Sequence, residues 1–339
     1  MLYRSVFVAR LLSVLWIFLV VVACEQVPHG DVSEGSMQSV TARFSWLLRA
    51  WNLPLVVAKE NGFYERRGIH VEINEGKGDR LTCELVSNGQ ETFAMTDAFT
   101  GAIAISQGAH IKFVAMFVQK NPSSIIFAPG QNIKKPEDLR GKRGGISPAG
   151  ASTVLLKAVL GQYGIGENEV QLIAMAPHSK KAALLSRKVD YINGFVNGDY
   201  LAVRSEDPTI KAVPYHTWNV SALNMGLIAH PDTIEKDPQL VRDFVAATAE
   251  GWRYMIEHPQ ESSDMGIKYF PMSDRDVLEE GIKATVPLIY TDSSQGKPLG
   301  WMAEADWNKT VELISQYGES NTVQDLNAYY TNEFIEQNN

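Results

Sequence analysis

Cysteine is nearly absent from this chain, with two in 339 residues. Two thiols cannot build a disulfide scaffold or a cysteine-rich zinc site. Basic charge is also short: 31 lysines and arginines face 39 acids, for a net charge of −8. Phosphate backbones call for a basic face, so nucleic acid is excluded as the expected partner. No two of His29, His70, His110, His178, His216, His230 and His258 stand at metal-ligand spacing, so no metal is expected. A Gly-x-Ser-x-Gly elbow and a His-Glu-x-x-His helix are both missing. Gly76-Lys77-Gly78 lies between a strand and a helix but lacks the third glycine of a dinucleotide fingerprint. It reads as a tight turn, and no cofactor is expected. Only one long apolar run exists, Leu11 to Ala23 broken at Ser13. It is shorter than the ~20 residues of a membrane span.

What is present is an ordinary globular composition, 45% hydrophobic and 21% charged. The length suits about two domains at roughly 100–200 residues each. The N-terminus is a separate object. Arg4 and Arg10 precede the apolar run, and small residues close it, which is the pattern of a secretory signal over residues 1–23. Val21-Val22-Ala23-Cys24 resembles a bacterial lipobox. That resemblance implies Cys24 as a lipidated mature N-terminus, with residues 24–40 as a polar tether. An uncleaved N-terminal anchor is the alternative. The mature chain is thus expected outside the cell, held to a membrane by lipid on its periplasmic or extracellular face. Removing residues 1–23 takes away two arginines and no acid, deepening the negative charge by two. Cys83 is left without a partner and is expected as a buried core thiol.

Beyond the tether, strands alternate with helices, implying α/β layers. Strands are expected at Thr41–Trp46, Ile69–Ile73, Thr92–Thr96 and Ile111–Val118. Between them fall helices at Leu53–Glu60, Asp79–Ser87 and Ala98–Gln107. The pattern recurs from Arg143 to Val213, and one spacing relates Thr92–Met95 to Asp190–Asn193 and Phe113–Ala115 to Lys211–Val213. Two similar lobes follow. After Ala229 come helices at Asp237–His258, Asp274–Ala284 and Glu304–Gln316. With crossings expected at Ser124–Pro129 and Asn224–His230, residues 41–125 and 229–339 form lobe 1 and residues 126–228 form lobe 2. A ligand cleft between the lobes is the natural consequence.

The stretch from Gly144 to Thr153 runs from a strand through small residues into a helix. Ser147, Ala149, Gly150, Ser152 and Thr153 would expose backbone N–H groups to an anion or a polar ligand edge. A plain small-residue turn is the competing reading. Carboxyl ends of parallel strands face the crevice in open α/β sheets, which suits Trp46, Asp97, Ser147 and Asn197 as ligand contacts. The aromatics Trp46, Trp51, Phe195 and Trp218 near turns suggest a flat, stacking ligand. No lysine or arginine is expected at these turns.

Together these features resemble the periplasmic binding proteins of nitrate, alkanesulfonate, taurine and thiamine-pyrimidine precursor importers. The resemblance rests on Ala58-Lys59-Glu60-Asn61-Gly62-Phe63-Tyr64, Gly68–Ile73, Gly141–Gly145, Asn224–Ala229, and Gly251–Tyr254 through His258-Pro259. It implies a two-lobed periplasmic binding protein fold of type II, with parallel-rich sheets, a hinged cleft and delivery to ABC permease subunits, as a monomer. Trp46, Asp97, Ser147, Ala149–Thr153, Phe195 and Asn197 match family positions. The Asn/His-rich stretch that often follows Trp46 in the pyrimidine branch is represented here by Asn52 alone. The expected solute is a small heteroaromatic or aromatic compound such as a thiamine-pyrimidine precursor, bound by these residues with Trp51, Asn52 and Trp218. Aliphatic sulfonates, taurine or nitrate are the alternatives. Two other classes stay open: a thiamine-pyrimidine synthase-like enzyme, whose eukaryotic forms carry a Cys-Cys-Cys-Phe-Cys stretch unmatched here, and a sensory adaptor.

Overall fold

The computed structural model describes residues 37–148, 150–318 and 321–335. The signal segment, Cys24, most of the tether and Ala149 lie outside them. The last tether residues are already strand: β1 (Gln38–Arg43) pairs in parallel with β2 (Ile69–Asn74). Between them, α1 (Leu53–Glu60) begins on Pro54, whose missing N–H costs nothing in a first helical turn. The helix α2 (Asp79–Ser87) leads to β3 (Phe93–Asp97), and α3 (Ala98–Ser106) leads to β4 (Lys112–Val118).

The chain then leaves this sheet. Five strands build a second one: β5 (Ser123–Phe127), β6 (Arg143–Ile146), β7 (Gln171–Ala174), β8 (Tyr191–Phe195) and β9 (Lys211–Pro214). Its helices are α4 (Ala151–Gln162), α5 (Lys180–Leu185) and α6 (Asp199–Arg204). The chain returns as β10 (Met225–Ala229), giving the orders β2-β1-β3-β10-β4 and β7-β6-β8-β5-β9.

Both stretches expected as crossings are therefore strands. β5 and β10 are wholly buried and pair antiparallel with a neighbour on each side. Their apolar runs, Ile125-Ile126-Phe127 and Met225 to Ala229, belong in a sheet interior, so the true crossings are the short links before them. These links are Gln119 to Pro122 and Asn219 to Asn224. Each sheet is consequently mixed, parallel where helices connect strands and antiparallel at the strand that came across.

The C-terminal part is helical: α7 (Pro231–Lys236), α8 (Pro238–Glu257), α9 (Pro259–Tyr269), α10 (Arg275–Thr285) and α11 (Glu304–Tyr317). Pro259, expected as a helix stop, also opens α9 at its first turn. The long helix α8 packs on α1 through Gly251. A Cβ there would lie 2.3 Å from the Pro54 carbonyl oxygen, so only glycine permits this close crossing. Phe117, Phe244 and Trp252 fill the core of this half.

Candidate functional site

Register decides what faces what. β1, β2 and β3 run parallel and end at Arg43, Asn74 and Asp97, with the start of β10 beside Asp97. In the second sheet, β6, β7 and β8 end at Ile146, Ala174 and Phe195, with Ser123 opposite Phe195. The turns after these ends carry nearly every residue expected at the site.

Trp51 and Phe195 meet across the lobes, ring centroids 5.7 Å apart at 74°, an edge-to-face contact. Trp51 is only 7% exposed. Gly198 leaves room for it, since a Cβ there would stand 3.0 Å from the indole. At the strand-end turns of the two lobes, Trp51 Nε1, Asn52 Oδ1, Ser123 Oγ, Ser147 Oγ and Asn197 Oδ1 are buried with no protein partner among the described residues. The orientation of both amides is fixed by their other ends. Asn52 Nδ2 donates to the Leu47 carbonyl at 3.3 Å. Asn197 Nδ2 donates to Thr285 Oγ1 at 2.9 Å, whose own proton goes to the Gly281 carbonyl. Each amide therefore presents a bare acceptor oxygen. Buried acceptors without donors are expensive, and a ligand that carries N–H or O–H groups removes that expense.

Asp97 caps α3, accepting from Thr100 N at 3.1 Å, and its other oxygen accepts from Asn224 Nδ2 at 2.6 Å. Asn224 in turn returns its carbonyl to Ala98 N and its N–H to Val118. Asp79, at the start of α2, accepts from Asp97 N at 2.8 Å and Thr96 Oγ1 at 3.1 Å. Burial, and then the charge of Asp79, push the Asp97 carboxyl up to about 8. Burial raises Asp79 as well. Two adjoining buried carboxyls cannot both ionise cheaply, so one proton is retained between them.

At the start of α4, Gly150 N donates to the Ser147 carbonyl at 3.0 Å and Thr153 Oγ1 to the same oxygen at 2.7 Å. Behind it lies a residue the sequence reading missed. Lys180 is buried, and its ammonium donates to the Asn193 carbonyl at 2.7 Å and to Asn193 Oδ1 at 3.3 Å. Asn193 Nδ2 passes the connection to Thr153 Oγ1 at 2.7 Å. Burial lowers the Lys180 pKa, partly offset by Asp199. A cation does therefore stand at these turns, contrary to expectation. The Lys180-Lys181 pair follows β7, but nothing local indicates which lysine turns inward. Asp79, Asn193 and Asn224 were missed for the same reason.

Two expected aromatics lie elsewhere. Trp46 follows the end of β1, which stops at Arg43, and it is 41% exposed. Trp218 is buried in the second lobe's core against Tyr215, and its Nε1 donates to the Lys134 carbonyl at 3.0 Å. With its one donor satisfied, Trp218 packs rather than binds. Ser152 is buried in the first turn of α4. The Gly76-Lys77-Gly78 turn lies against the chain after β1, with Gly78 N bound to the Ser45 carbonyl at 2.7 Å. A cavity of about 600 Å³ is lined by Leu47 to Ala50 from one lobe and Asn197 and Lys181 from the other, with neither Trp51 nor Phe195 in its wall. Among the described residues, no group of histidine, cysteine or acid is placed to hold a metal ion.

This architecture has known counterparts. It superposes on the periplasmic aliphatic sulphonate binding protein SsuA of Escherichia coli with a TM-score of 0.68, at 16% identity, covering 83% of this chain and 87% of that one. The fold is that of a two-lobed periplasmic binding protein. In sequence, the chain is 23% identical over 310 residues to the riboflavin-binding protein RibY of Chloroflexus aurantiacus, covering 89% of this chain and 88% of that one. It is 21% identical over 312 residues to a 4-amino-5-hydroxymethyl-2-methylpyrimidine phosphate synthase of Legionella pneumophila, covering 87% and 92%. The model of the family described as NMT1/THI5 like matches residues 52–262. That match spans more than half of the chain, and the chain belongs to the NMT1/THI5-like family.

Proposed function

We propose that this chain is the solute-binding component of an ABC-type importer, closing its lobes on a small heteroaromatic solute. The observation that carries the reading is the Trp51–Phe195 junction with its unpartnered polar atoms. Asn52 and Asn197 offer acceptor oxygens, Trp51 offers a donor, and Ser123 and Ser147 offer either. A nitrogen heterocycle bearing amino or hydroxyl groups supplies both complements and a flat face. Nitrate or an unsubstituted alkanesulfonate supplies acceptors alone and leaves the two amide oxygens unpaired, and taurine supplies donors but no flat face. Closure follows from differential contact, because only the closed form brings the turns of both lobes to one solute. The closed surface is then offered to the permease.

An enzymatic reading is less well supported. Cys83, the one cysteine among the described residues, is buried against Thr96, and burial pushes its thiol up to about 12. A thiol so protonated is a poor nucleophile. Of the six side chains named at the junction, Trp51, Phe195, Asn52, Ser123, Ser147 and Asn197, none forms a nucleophile–base pair among the described residues.

A thermal-shift panel of riboflavin, aminopyrimidines, aromatic acids, alkanesulfonates and nitrate tests the reading. A ring solute at about 100 times its Kd is expected to add roughly 2.7 kcal/mol of stability, a rise of several degrees. Stabilisation by taurine or nitrate, with none from any ring compound, would sink it. Export and anchoring complete the proposal, with the lipidated Cys24 holding the monomer at the membrane face. Replacing Cys24 by Ser is expected to move the protein from the membrane to the soluble fraction. Retention of the Cys24→Ser protein at the membrane even with residues 1–23 removed would refute the lipid anchor.

A further inference from the structure

The two crossings between the lobes form more than a hinge. They wall a polar hollow of about 480 Å³ on which Gln119, Lys120, His216, Asn219, Asp292 and Lys309 converge. Gln119 is 1% exposed, and its Nε2 donates to the carbonyls of Met116 at 3.1 Å and Trp301 at 2.8 Å. Two carbonyl partners fix the amide, so Oε1 is the atom left buried and unpartnered. His216 repeats the situation from the turn before the returning crossing. Its ring is bonded to the Asn121 backbone, and Nδ1 is buried without a partner. Burial, and then the nearby Lys120, hold its pKa below the ordinary value, so the imidazole is neutral and Nδ1 is an acceptor.

Two donor-hungry atoms thus line one hollow, one on the outgoing crossing and one beside the returning crossing. The charges at its rim are complementary in kind. Lys120 and Lys309 have no ion-pair partner among the described residues, and neither has Asp292. Asn219, at φ 59°, holds a left-handed turn where the returning crossing begins. The Asn121 N–H donates to Ser221 Oγ at 3.4 Å, joining the two crossings directly. Any rotation of the lobes must move these walls relative to one another.

We propose that this hollow binds a small zwitterion of the α-amino-acid type and that its occupancy favours the closed lobes. The ammonium donates to Gln119 Oε1 and His216 Nδ1, with Asp292 nearby, and the carboxylate is held by Lys120 and Lys309. One ligand supplies both the donors that the buried acceptors need and the anion that the free lysines attract. The site is distinct from the Trp51–Phe195 junction, and its effect on that junction rests on the solute-binding reading. Because the walls take this form when Trp51 and Phe195 are in contact, the zwitterion tightens cleft binding and the cleft solute tightens zwitterion binding by the same factor.

The test is calorimetric titration of the purified mature protein with each proteinogenic amino acid, and with ammonium chloride and sodium acetate separately. At least one amino acid is expected to bind with 1:1 stoichiometry at submillimolar Kd, while neither simple ion does. Lys309→Glu, at an exposed position that leaves the core intact, is expected to weaken that binding at least tenfold, and Gln119→Leu likewise. Trp51→Ala, which acts on the hollow only through the coupling to closure, is expected to weaken that binding less than Lys309→Glu does. No binding by any amino acid overturns the proposal, since water alone then meets the orphaned acceptors. Binding that is lost in Trp51→Ala but kept in Lys309→Glu also overturns it, by placing the amino acid in the main cleft. If an amino acid binds the hollow while no ring compound binds anywhere, the hinge site stands and the solute reading falls.

Discussion

Trp51→Ala is expected to lower affinity for the ring solute about 100-fold, with the Kd read by calorimetry. The indole forms one wall of the junction and carries Nε1, a nitrogen donor left without a partner among the described residues. Losing a buried aromatic wall removes packing area and ring–ring interaction, and losing the donor strands a ligand acceptor. Together these amount to roughly 2–3 kcal/mol, a factor of about 30–150. Trp51→Phe keeps the ring but not the donor and should retain much of the binding. Trp218→Phe provides the contrast. Its indole donates to the Lys134 carbonyl inside the second lobe, so it should lower the melting temperature and leave solute affinity nearly unchanged. A Trp51→Ala protein that binds within threefold of wild type would remove Trp51 from the site.

The second large effect concerns pH. The native Asp97 carboxyl titrates at about 8 instead of near 3.8, through burial first and the charge of Asp79 second. A folded-state pKa raised above the unfolded one means that the native chain binds a proton the unfolded chain has released. Stability from this source is complete below about pH 4 and is lost as pH rises through 8. Opposing terms act on the same axis. His216, with its depressed pKa, adds stability as pH rises toward 6.5 and nothing further above it, and paired surface acids such as Asp190 lose their contribution only at lower pH. The Asp97 term therefore shows between about pH 6.5 and 8. Wild type is expected to lose on the order of 2 kcal/mol over that window, read as a falling urea midpoint. Asp97→Asn should flatten the slope, because an amide retains an acceptor for Thr100 N without the charge. A wild-type midpoint that is flat or rises toward pH 8 would contradict the shared-proton arrangement. If the solute is donated a hydrogen bond by that carboxyl, its affinity should fall over the same window.

Much of the arrangement could be read before any coordinates, for a simple reason. The alternation of apolar runs with helical periods is a local property, and so is the closing of a helix by Asn-Gly. Leu53–Glu60, Asp79–Ser87 and Arg143–Ile146 came out at the expected residues. The rule that strand ends face the crevice pointed to Trp46, Asp97, Ser147 and Asn197, of which Trp46 came out exposed beyond the end of β1 and the other three came out at strand-end turns. That rule needs only strand direction, which the helical connections supply.

What the chain order could not decide was pairing and depth. Ser124 to Pro129 and Asn224 to His230 look like linkers until β5 and β10 are seen inserted between strands of the sheet they join. Trp51 and Trp218 are equivalent as letters. One has its nitrogen satisfied by a carbonyl far along the chain, and the other does not. Lys180 and Lys181 are neighbours, yet one is sealed beneath β8 and the other forms an exposed pair with Glu206. The proton shared by Asp79 and Asp97, and the two acceptors stranded at the hinge, arise only when distant segments converge. The sequence by itself determined which segments become strands and helices, and hence the edge at which a ligand is met. The tertiary structure decided which polar atoms on that edge remain unpaired, because hydrogen-bond satisfaction and desolvation depend on neighbours that no local pattern encodes.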